Sequence, residues 1–240
     1  RYLEPEKFGH LSYLLALTAL VTPIMTLGLN SLISRELLAR PSETDQILGS
    51  GMAMRFIAGL ATAILAAFLG GFLLSPEDHL LFVILVLSSV FNAALIIDFW
   101  FQAKMANRQG VVIRLIILVV FSAARLFAIE LDAGLTVFVA LAALEFISLS
   151  ILYLISYHWL SRGLGKLRVT LLESKRLFLD GRWLFLSGVA AVIYLKVDQI
   201  MLGIMLGDRA VGIYSAAIRI SEVWYFVPAA IMTSFFPRLL

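Results

Sequence analysis

Residues 80–101 read LLFVILVLSSVFNAALIIDFWF, a continuous apolar run in which Asp98 is the one ionisable side chain. A helix needs about 20 such residues to cross the roughly 30 Å hydrocarbon core of a bilayer. The run is too long for a strand, and no ten-residue alternating pattern suggests a membrane barrel. Working outward, six more runs of the same kind have cores near 11–33, 56–74, 112–129, 135–157, 184–206 and 213–236. Composition agrees: 61% of the 240 residues are hydrophobic and 15% charged, and the mean hydropathy is +0.97. Soluble domains hold about 45–50% apolar and about 25% charged residues. The fold class predicted is therefore an all-α integral membrane protein with seven membrane helices in view.

Polar connectors with turn residues separate the runs: Arg40-Pro41-Ser42, Ser75-Pro76-Glu77-Asp78, Asn107-Arg108-Gln109-Gly110, Asp132-Ala133-Gly134 and Gly207-Asp208. Alternate connectors differ in charge. Segments 34–55, 104–114 and 161–183, with Arg238, carry thirteen Lys and Arg, against three (Arg1, Lys7 and Arg209) on the opposite side. The positive-inside rule places the first set in the cytoplasm. The chain opens on Arg1 with the polar stretch RYLEPEKFGH, with no signal peptide before the first run, so the expectation is a piece of a longer protein whose preceding span is missing. The connector 161–183 is the longest and most basic. It reads either as an amphipathic helix on the cytoplasmic leaflet or as an ordinary linker. In both readings it divides 1–160, part of a first helical bundle, from 184–240, the start of a second.

A shift of 203 residues lays Leu3, Gly9, Ser12, Ser31, Arg35 and Leu37 on Leu206, Gly212, Ser215, Ser234, Arg238 and Leu240. Both stretches run outer loop, glycine, span with a central proline (Pro23, Pro228), then an arginine at the inner face. Both enter the membrane from the same side, so the repeat is parallel, an arrangement found in transporters with the substrate path between the halves.

These stretches also carry a family resemblance. Residues 196–240, KVDQIMLGIMLGDRAVGIYSAAIRISEVWYFVPAAIMTSFFPRLL, together with 3–38 and DFWFQAKMANR at 98–108, resemble the oligosaccharide-lipid flippases of the MOP superfamily, the O-antigen and polysaccharide exporters. The resemblance runs from end to end. It implies a fragment of a twelve- to fourteen-helix transporter with two six-helix bundles in a V, in the bacterial inner membrane. It implies a substrate that is an undecaprenyl-pyrophosphate-linked oligosaccharide, moved from inner to outer leaflet by alternating access. Coupling to H+ or Na+, membrane lipid contacts, and polymerase and other polysaccharide assembly proteins as partners follow from the same comparison.

Ionisable groups inside a bilayer cost about 2.5–3.5 kcal/mol on insertion scales and so face a partner or a wet cavity. The candidates are Asp98, Arg125, Glu145, Lys196, Asp198, Arg219 and Glu222. Counted from the turn near residues 209–210, Asp198 matches Arg219 and Lys196 matches Glu222 in depth to within about 3 Å. The four read as one charged ladder, either a set of structural ion pairs or the lining of a central cavity. Given a pyrophosphate, the planar fork of Arg makes Arg219, Arg55 and Arg35 the expected contacts, with Lys196 as a point charge. The alternative for Arg35 and Arg55 is snorkelling to the interface. Asp198, Glu222 and Asp98 are coupling or charge-pair groups, Asp98 sharing a helix face with Gln102. Arg125 and Glu145 differ in depth by about 7 Å and are left unpaired. Phe99, Trp100 and Phe101 suit an interfacial aromatic belt. The stripe Gly59, Ala63, Ala66, Ala67, Gly70 and Gly71 suits close helix packing.

Other chemistries find little support. There is no cysteine, and His10, His79 and His158 lie far apart, so no metal or cofactor site is expected. No Walker loop, dinucleotide turn or nucleophile elbow occurs, and a net charge of +3 gives no nucleic-acid signal. A cation-coupled multidrug exporter of the same superfamily is the first alternative, opposed by the basic Lys196 and Arg219. A membrane-embedded glycosyl- or acyltransferase is the second: Glu43 and Asp45 flank Thr44 beside Arg40, with no histidine near. A receptor or scaffold explains neither the repeat nor the deep charges.

Overall fold

The computed structural model describes residues 5–161, 167–222 and 224. Among them the chain is helical throughout: α1 (Pro5–Thr26), α2 (Leu29–Ala39), α3 (Thr44–Leu73), α4 (Pro76–Ser89), α5 (Ile96–Ala103), α6 (Asn107–Glu130), α7 (Leu135–Ser161), α8 (Leu171–Leu206) and α9 (Asp208–Glu222). Short 3₁₀ segments join α2 to α3 (Pro41–Glu43) and α4 to α5 (Val90–Leu95). Six stretches of the described residues are long and apolar enough to cross a membrane. The protein is an all-α membrane protein. Of the seventh expected span, only the part up to Glu222, together with Trp224, is described; Ser234, Arg238 and Leu240 of the repeat lie outside the described residues, as do Leu3, Arg162 and Lys166.

Helix ends depart from the apolar runs in ways the local chemistry explains. Ser75 and Pro76, read as a connector, begin α4: the Ser75 hydroxyl accepts the Asp78 N–H at 3.2 Å and Pro76 takes the first turn, where its missing N–H costs nothing. Asn107–Gly110 is the first turn of α6 rather than a loop. Residues 44–55 of the basic segment 34–55 belong to α3, a 30-residue helix. The first span is not one helix: the chain turns at Leu27 (φ 53°) and Gly28 (φ 61°), just beyond Pro23. The span at 76–103 passes through a 3₁₀ section at its centre, a tighter winding that re-aims the side chains on either side of it.

The chain forms two compact units. The larger, Leu17–Lys196, is built on one apolar cluster. Leu29, Leu32, Ile33 and Leu37 of α2 meet Ile47 and Leu48 of α3, Ile96, Ile97, Trp100 and Phe101 of α5, Ile113 of α6, Tyr153 and Tyr157 of α7, and Leu177 of α8. Trp100 packs edge-on against Tyr157 with ring centroids 4.9 Å apart, and Phe101 stacks on Tyr153 at 5.8 Å. Trp100 and Phe101 are thus core, 8% and 0% exposed, not the interfacial belt expected of them. The small-residue stripe packs as expected: Gly59 lies against Val90, and Gly70 against Phe82 and His79.

Gly28 sits where no other residue fits. Its φ is left-handed, and a Cβ there would come within 2.5 Å of the Phe185 backbone N. An L side chain in that conformation costs about 1–2 kcal/mol before any clash. Gly28→Ala should lower the thermal midpoint of the detergent-solubilised protein by about 5 °C. Gly134→Ala, where a Cβ meets nothing within 4 Å, should leave it unchanged. Equal shifts for the two would refute the packing argument.

At one end of this unit an ion-pair network ties three elements. Arg40 Nη2 lies 2.7 Å from Glu36 Oε2 and 2.6 Å from Glu173 Oε1, and its Nη1 lies 2.5 Å from Glu43. Arg176 approaches Glu36 at 3.7 Å. The Glu173 hydrogen bond, with Glu36 and Glu43 behind it, raises the Arg40 guanidinium further above its already high range, so this cation does not titrate. Beside it the segment 167–170 docks on α3: Arg168 N–H donates to Asp45 C=O at 3.0 Å and Thr170 N–H to Ser50 Oγ at 3.1 Å.

The smaller unit comprises Arg1–Ala16 and Val197–Leu240. Gly9 and Gly212, aligned by the repeat, face each other. A Cβ on Gly9 would run into the carbonyl oxygen of Asp208, and one on Gly212 into that of Pro5. Pro5 and Asp208 are themselves 203 residues apart. Each glycine therefore makes room for the residue four before the other, the reciprocity of a local two-fold contact. His10 Nδ1 lies 2.7 Å from Asp208 Oδ2 beside this crossing.

Candidate functional site

Within the larger unit, seven elements contribute to a cavity of about 300 Å³ lined by Thr22, Thr26, Asn30, Arg55, Asn92, Leu95, Asp98, Phe99, Arg114, Leu149 and Tyr153. It exists because of the irregularities just described. The turn at Leu27–Gly28 ends α1 with Thr22 and Thr26 on one wall and starts α2 with Asn30 on the next. The 3₁₀ section brings Asn92 and Leu95 to the cavity, and α5 then adds Asp98 and Phe99. Straight helices would aim these side chains differently.

Arg55 is the central group. It is 2% exposed, twelve positions into α3 by sequence. Its Nη2 donates to Asn30 Oδ1 at 2.6 Å, its guanidinium carbon lies 5.8 Å from the Phe99 ring centroid, and its Nε has no hydrogen-bond partner. Among the described residues no carboxylate pairs with it. A buried cation is usually matched by an anion of the protein; here one amide oxygen and one ring face do part of that work, and the buried Nε donor is unused. Asn92 Oδ1, also shielded, is unpartnered too.

Across the cavity a second cation is fully matched. Arg114 of α6 pairs with Asp98 Oδ2, and its Nε donates to the Tyr153 hydroxyl at 3.1 Å. Tyr153 in turn donates to Asp98 Oδ1 at 2.9 Å, and Gln102 Nε2 donates to Asp98 Oδ2 at 3.0 Å. Gly110, one turn before Arg114, permits this approach: a Cβ there would lie 2.5 Å from Asp98 Oδ1 and 3.4 Å from the Tyr153 oxygen. The cavity thus holds two guanidinium groups against one carboxylate, in a membrane-spanning part of the fold.

The sequence-based site residues are distributed as follows. Arg55 and Asp98 line the cavity, and the Asp98–Gln102 pair forms as expected. Arg35 is not part of the lining; its side chain is 68% exposed and reaches Glu36 at 3.2 Å. Lys196 is half-buried on α8. Asp198 does not take Arg219 as its partner: its Oδ2 accepts the Tyr214 hydroxyl and its Oδ1 the Gln199 N–H at 2.8 Å. Arg219 is exposed and stands over the Phe8 ring at 4.9 Å. Depth matching fixes height along two helices but not rotation about them, which is why the ladder's Asp198–Arg219 rung fails. The Glu222 side chain lies outside the described residues. Arg125 and Glu145, left unpaired by their offset in depth, do form an ion pair, because the long arginine side chain covers the offset. Arg114, Tyr153, Asn30 and Asn92 were missed. The only available signal for Arg114 was Gly110 one turn earlier on the same helix face; the other three are ordinary polar residues within apolar runs.

Among known proteins, no curated protein and no solved structure matches the chain. A family model described as "Polysaccharide biosynthesis protein" matches residues 1–240, the whole length. With the end-to-end match and the membrane-spanning helices, the chain belongs to the polysaccharide biosynthesis protein family, the O-antigen and polysaccharide exporters of the MOP superfamily.

Proposed function

We propose that the protein moves an undecaprenyl-pyrophosphate-linked oligosaccharide from the inner to the outer leaflet of the bacterial cytoplasmic membrane, by alternating access, for assembly of surface polysaccharide. The observation that carries this reading is Arg55: a guanidinium 2% exposed, with an unpartnered Nε, lining a cavity of about 300 Å³ that also holds Asn30, Asn92, Thr22 and Thr26. A pyrophosphate supplies the acceptors that such a fork lacks, and in a low-dielectric site charge-assisted hydrogen bonds of this kind are strong. Asn30, Asn92, Thr22 and Thr26 offer neutral hydrogen bonds to sugar hydroxyls beside it.

A multidrug exporter taking cationic drugs needs an unmatched carboxylate. In this cavity the carboxylate, Asp98, already holds Arg114, and the unmatched charge is positive. Arg219, Lys196 and Arg35 remain in the proposal as further cations along the path, with Asp198, Glu222 and Asp98 as charge-pair or coupling groups for H+ or Na+. The proposed organisation is a first bundle through residue 160, a basic linker at 161–183 whose later part, from Leu171, is the start of α8, and a second bundle from 184. Polymerase and other assembly proteins are the proposed partners.

Deleting the gene is the direct test. Surface polysaccharide should disappear and its lipid-linked precursor accumulate with the glycan facing the cytoplasm. Normal surface glycan without accumulation would overturn the reading. Orientation is tested separately, because the chain has no cysteine. A cysteine at Lys175, exposed on α8, should resist an impermeant thiol reagent in intact cells and react after the membrane is opened. Labelling in intact cells would reverse the topology.

A further inference from the structure

Arg114 and Asp98 stand out because their pairing is conditional. Arg114 reaches the cavity that contains Arg55, yet its guanidinium is committed to the Asp98 carboxylate and the Tyr153 hydroxyl. The Arg114 side chain is 56% exposed while that of Asp98 is 14% exposed. The arginine therefore has room to turn, and the aspartate does not. Asp98 is held from two further sides, by Tyr153 on α7 and Gln102 on its own helix. Of the other elements packed against α5, α3 presents Arg55 to the cavity, and α2 and the 3₁₀ section present the neutral Asn30 and Asn92.

We propose that Asp98 and the anionic headgroup compete for Arg114, so that a cation neutralising Asp98, either a proton or Na+, releases Arg114 to join Arg55 on the pyrophosphate. This rests on the reading of the cavity as the headgroup site and assigns the coupling role within it. Geometry makes the exchange possible: Tyr153 and Gln102 keep the aspartate in place when Arg114 leaves, and the carboxylate with the Tyr153 hydroxyl oxygen offers hard oxygen ligands to a monovalent cation. When Asp98 is charged, it holds Arg114 and the cavity presents one guanidinium, Arg55, that has no carboxylate among the described residues. When Asp98 is neutralised, the cavity presents two, and two forks match the two phosphates of the headgroup. Cation and headgroup then promote each other's binding by the same factor, as linkage requires. Gly110 is the positioning residue of the device, since a side chain there would displace the Asp98 carboxylate.

The test uses the purified full chain in lipid nanodiscs with farnesyl pyrophosphate as the probe. Wild type should bind it more tightly on acidification or on adding Na+ in place of choline, and whichever cation acts names the coupling ion. Asp98→Asn, which keeps the shape and can still accept from Gln102 while donating to the Tyr153 hydroxyl, should bind the probe about tenfold more tightly, the worth of one charge-assisted hydrogen bond, and lose the response to either cation. Arg114→Gln should bind more weakly and also lose the response. Adding Asp98→Asn to Arg114→Gln should then change nothing. If Asp98→Asn tightens binding equally in the Arg114→Gln background, the effect is bulk electrostatics and the competition is refuted. If Asp98→Asn leaves wild-type affinity unchanged, it is refuted as well. Loss of all probe binding in Arg55→Gln with the Asp98–Arg114 coupling absent would leave the headgroup site standing and remove only the exchange. Absence of probe binding in wild type would overturn both.

Discussion

Replacing Arg55 by glutamine is expected to reduce surface polysaccharide on the order of a hundredfold, the loss of two charge-assisted hydrogen bonds to the substrate, while the amount of protein in the membrane stays the same or rises. The combination is what identifies the role. A structural arginine, when removed, leaves its carboxylate partner buried and unpaired, and abundance falls. Among the described residues Arg55 has no such partner; its one side-chain acceptor is the neutral Asn30. Glutamine can still donate to Asn30 while removing a buried charge that the protein does not balance, so the fold has little to lose and something to gain. Groups held against stability in this way belong to function. Arg55→Lys should recover only part of the export, because an ammonium is a point charge without the planar fork. Measuring surface glycan and membrane protein in the same cells separates the outcomes. Loss of protein in parallel with loss of glycan would make Arg55 a structural residue.

The second large effect falls on stability. Arg40→Ala should destabilise the protein by about 3–5 kcal/mol, the cost of leaving a buried ion pair half empty. Here two carboxylates lose their nearest cation: the side chains of Glu36 and Glu173 are each 8% exposed and each lies within 2.7 Å of the Arg40 Nη2, and Glu36 keeps only Arg35 at 3.2 Å and Arg176 at 3.7 Å. The network joins α2 to the first turn of α8, so its loss should free the start of α8. Thermal unfolding in detergent checks this. Arg35→Ala is the control, because Arg35 is 68% exposed and makes a single contact to Glu36; exposed pairs contribute about 0–1 kcal/mol. Arg40→Ala together with Glu36→Gln and Glu173→Gln should recover a large part of the loss. A midpoint for Arg40→Ala no lower than that for Arg35→Ala would show the network to be dispensable.

The two predictions differ in how far the sequence anticipated them. Arg55 was legible as a candidate because a fork of donors suits a pyrophosphate, but snorkelling to the interface fitted the same residue equally well. What separates those readings is burial and the absence of a carboxylate, and neither is a property of sequence. Arg40 was legible as one of thirteen basic residues on one side of the membrane and as part of a polar connector near Glu43. Its partner Glu173 is 133 positions away, and no local pattern links them. Arg125 with Glu145 and Asp198 with Tyr214 make the same point. Axial arithmetic gives heights along helices, whereas contact also depends on helix rotation and on side-chain reach.

By itself, the sequence determined that the chain is helical and membrane-spanning, since runs of about 20 apolar residues leave the backbone no other way to satisfy its polar groups in lipid. It also determined the family, through motifs spread over the whole length, and the reciprocal glycines Gly9 and Gly212, which stand at matching places in a repeat. Only the tertiary structure decided where those helices bend and what the bends enclose. The turn at Leu27–Gly28 and the 3₁₀ section at Val90–Leu95 are small backbone changes inside apolar runs, invisible to hydropathy because they alter direction and not composition. They bring Asn30, Asn92 and Asp98 to the cavity that Arg55 and Arg114 share. Whether a buried charge is matched or free depends on which helix faces are turned toward it, and that is settled by packing.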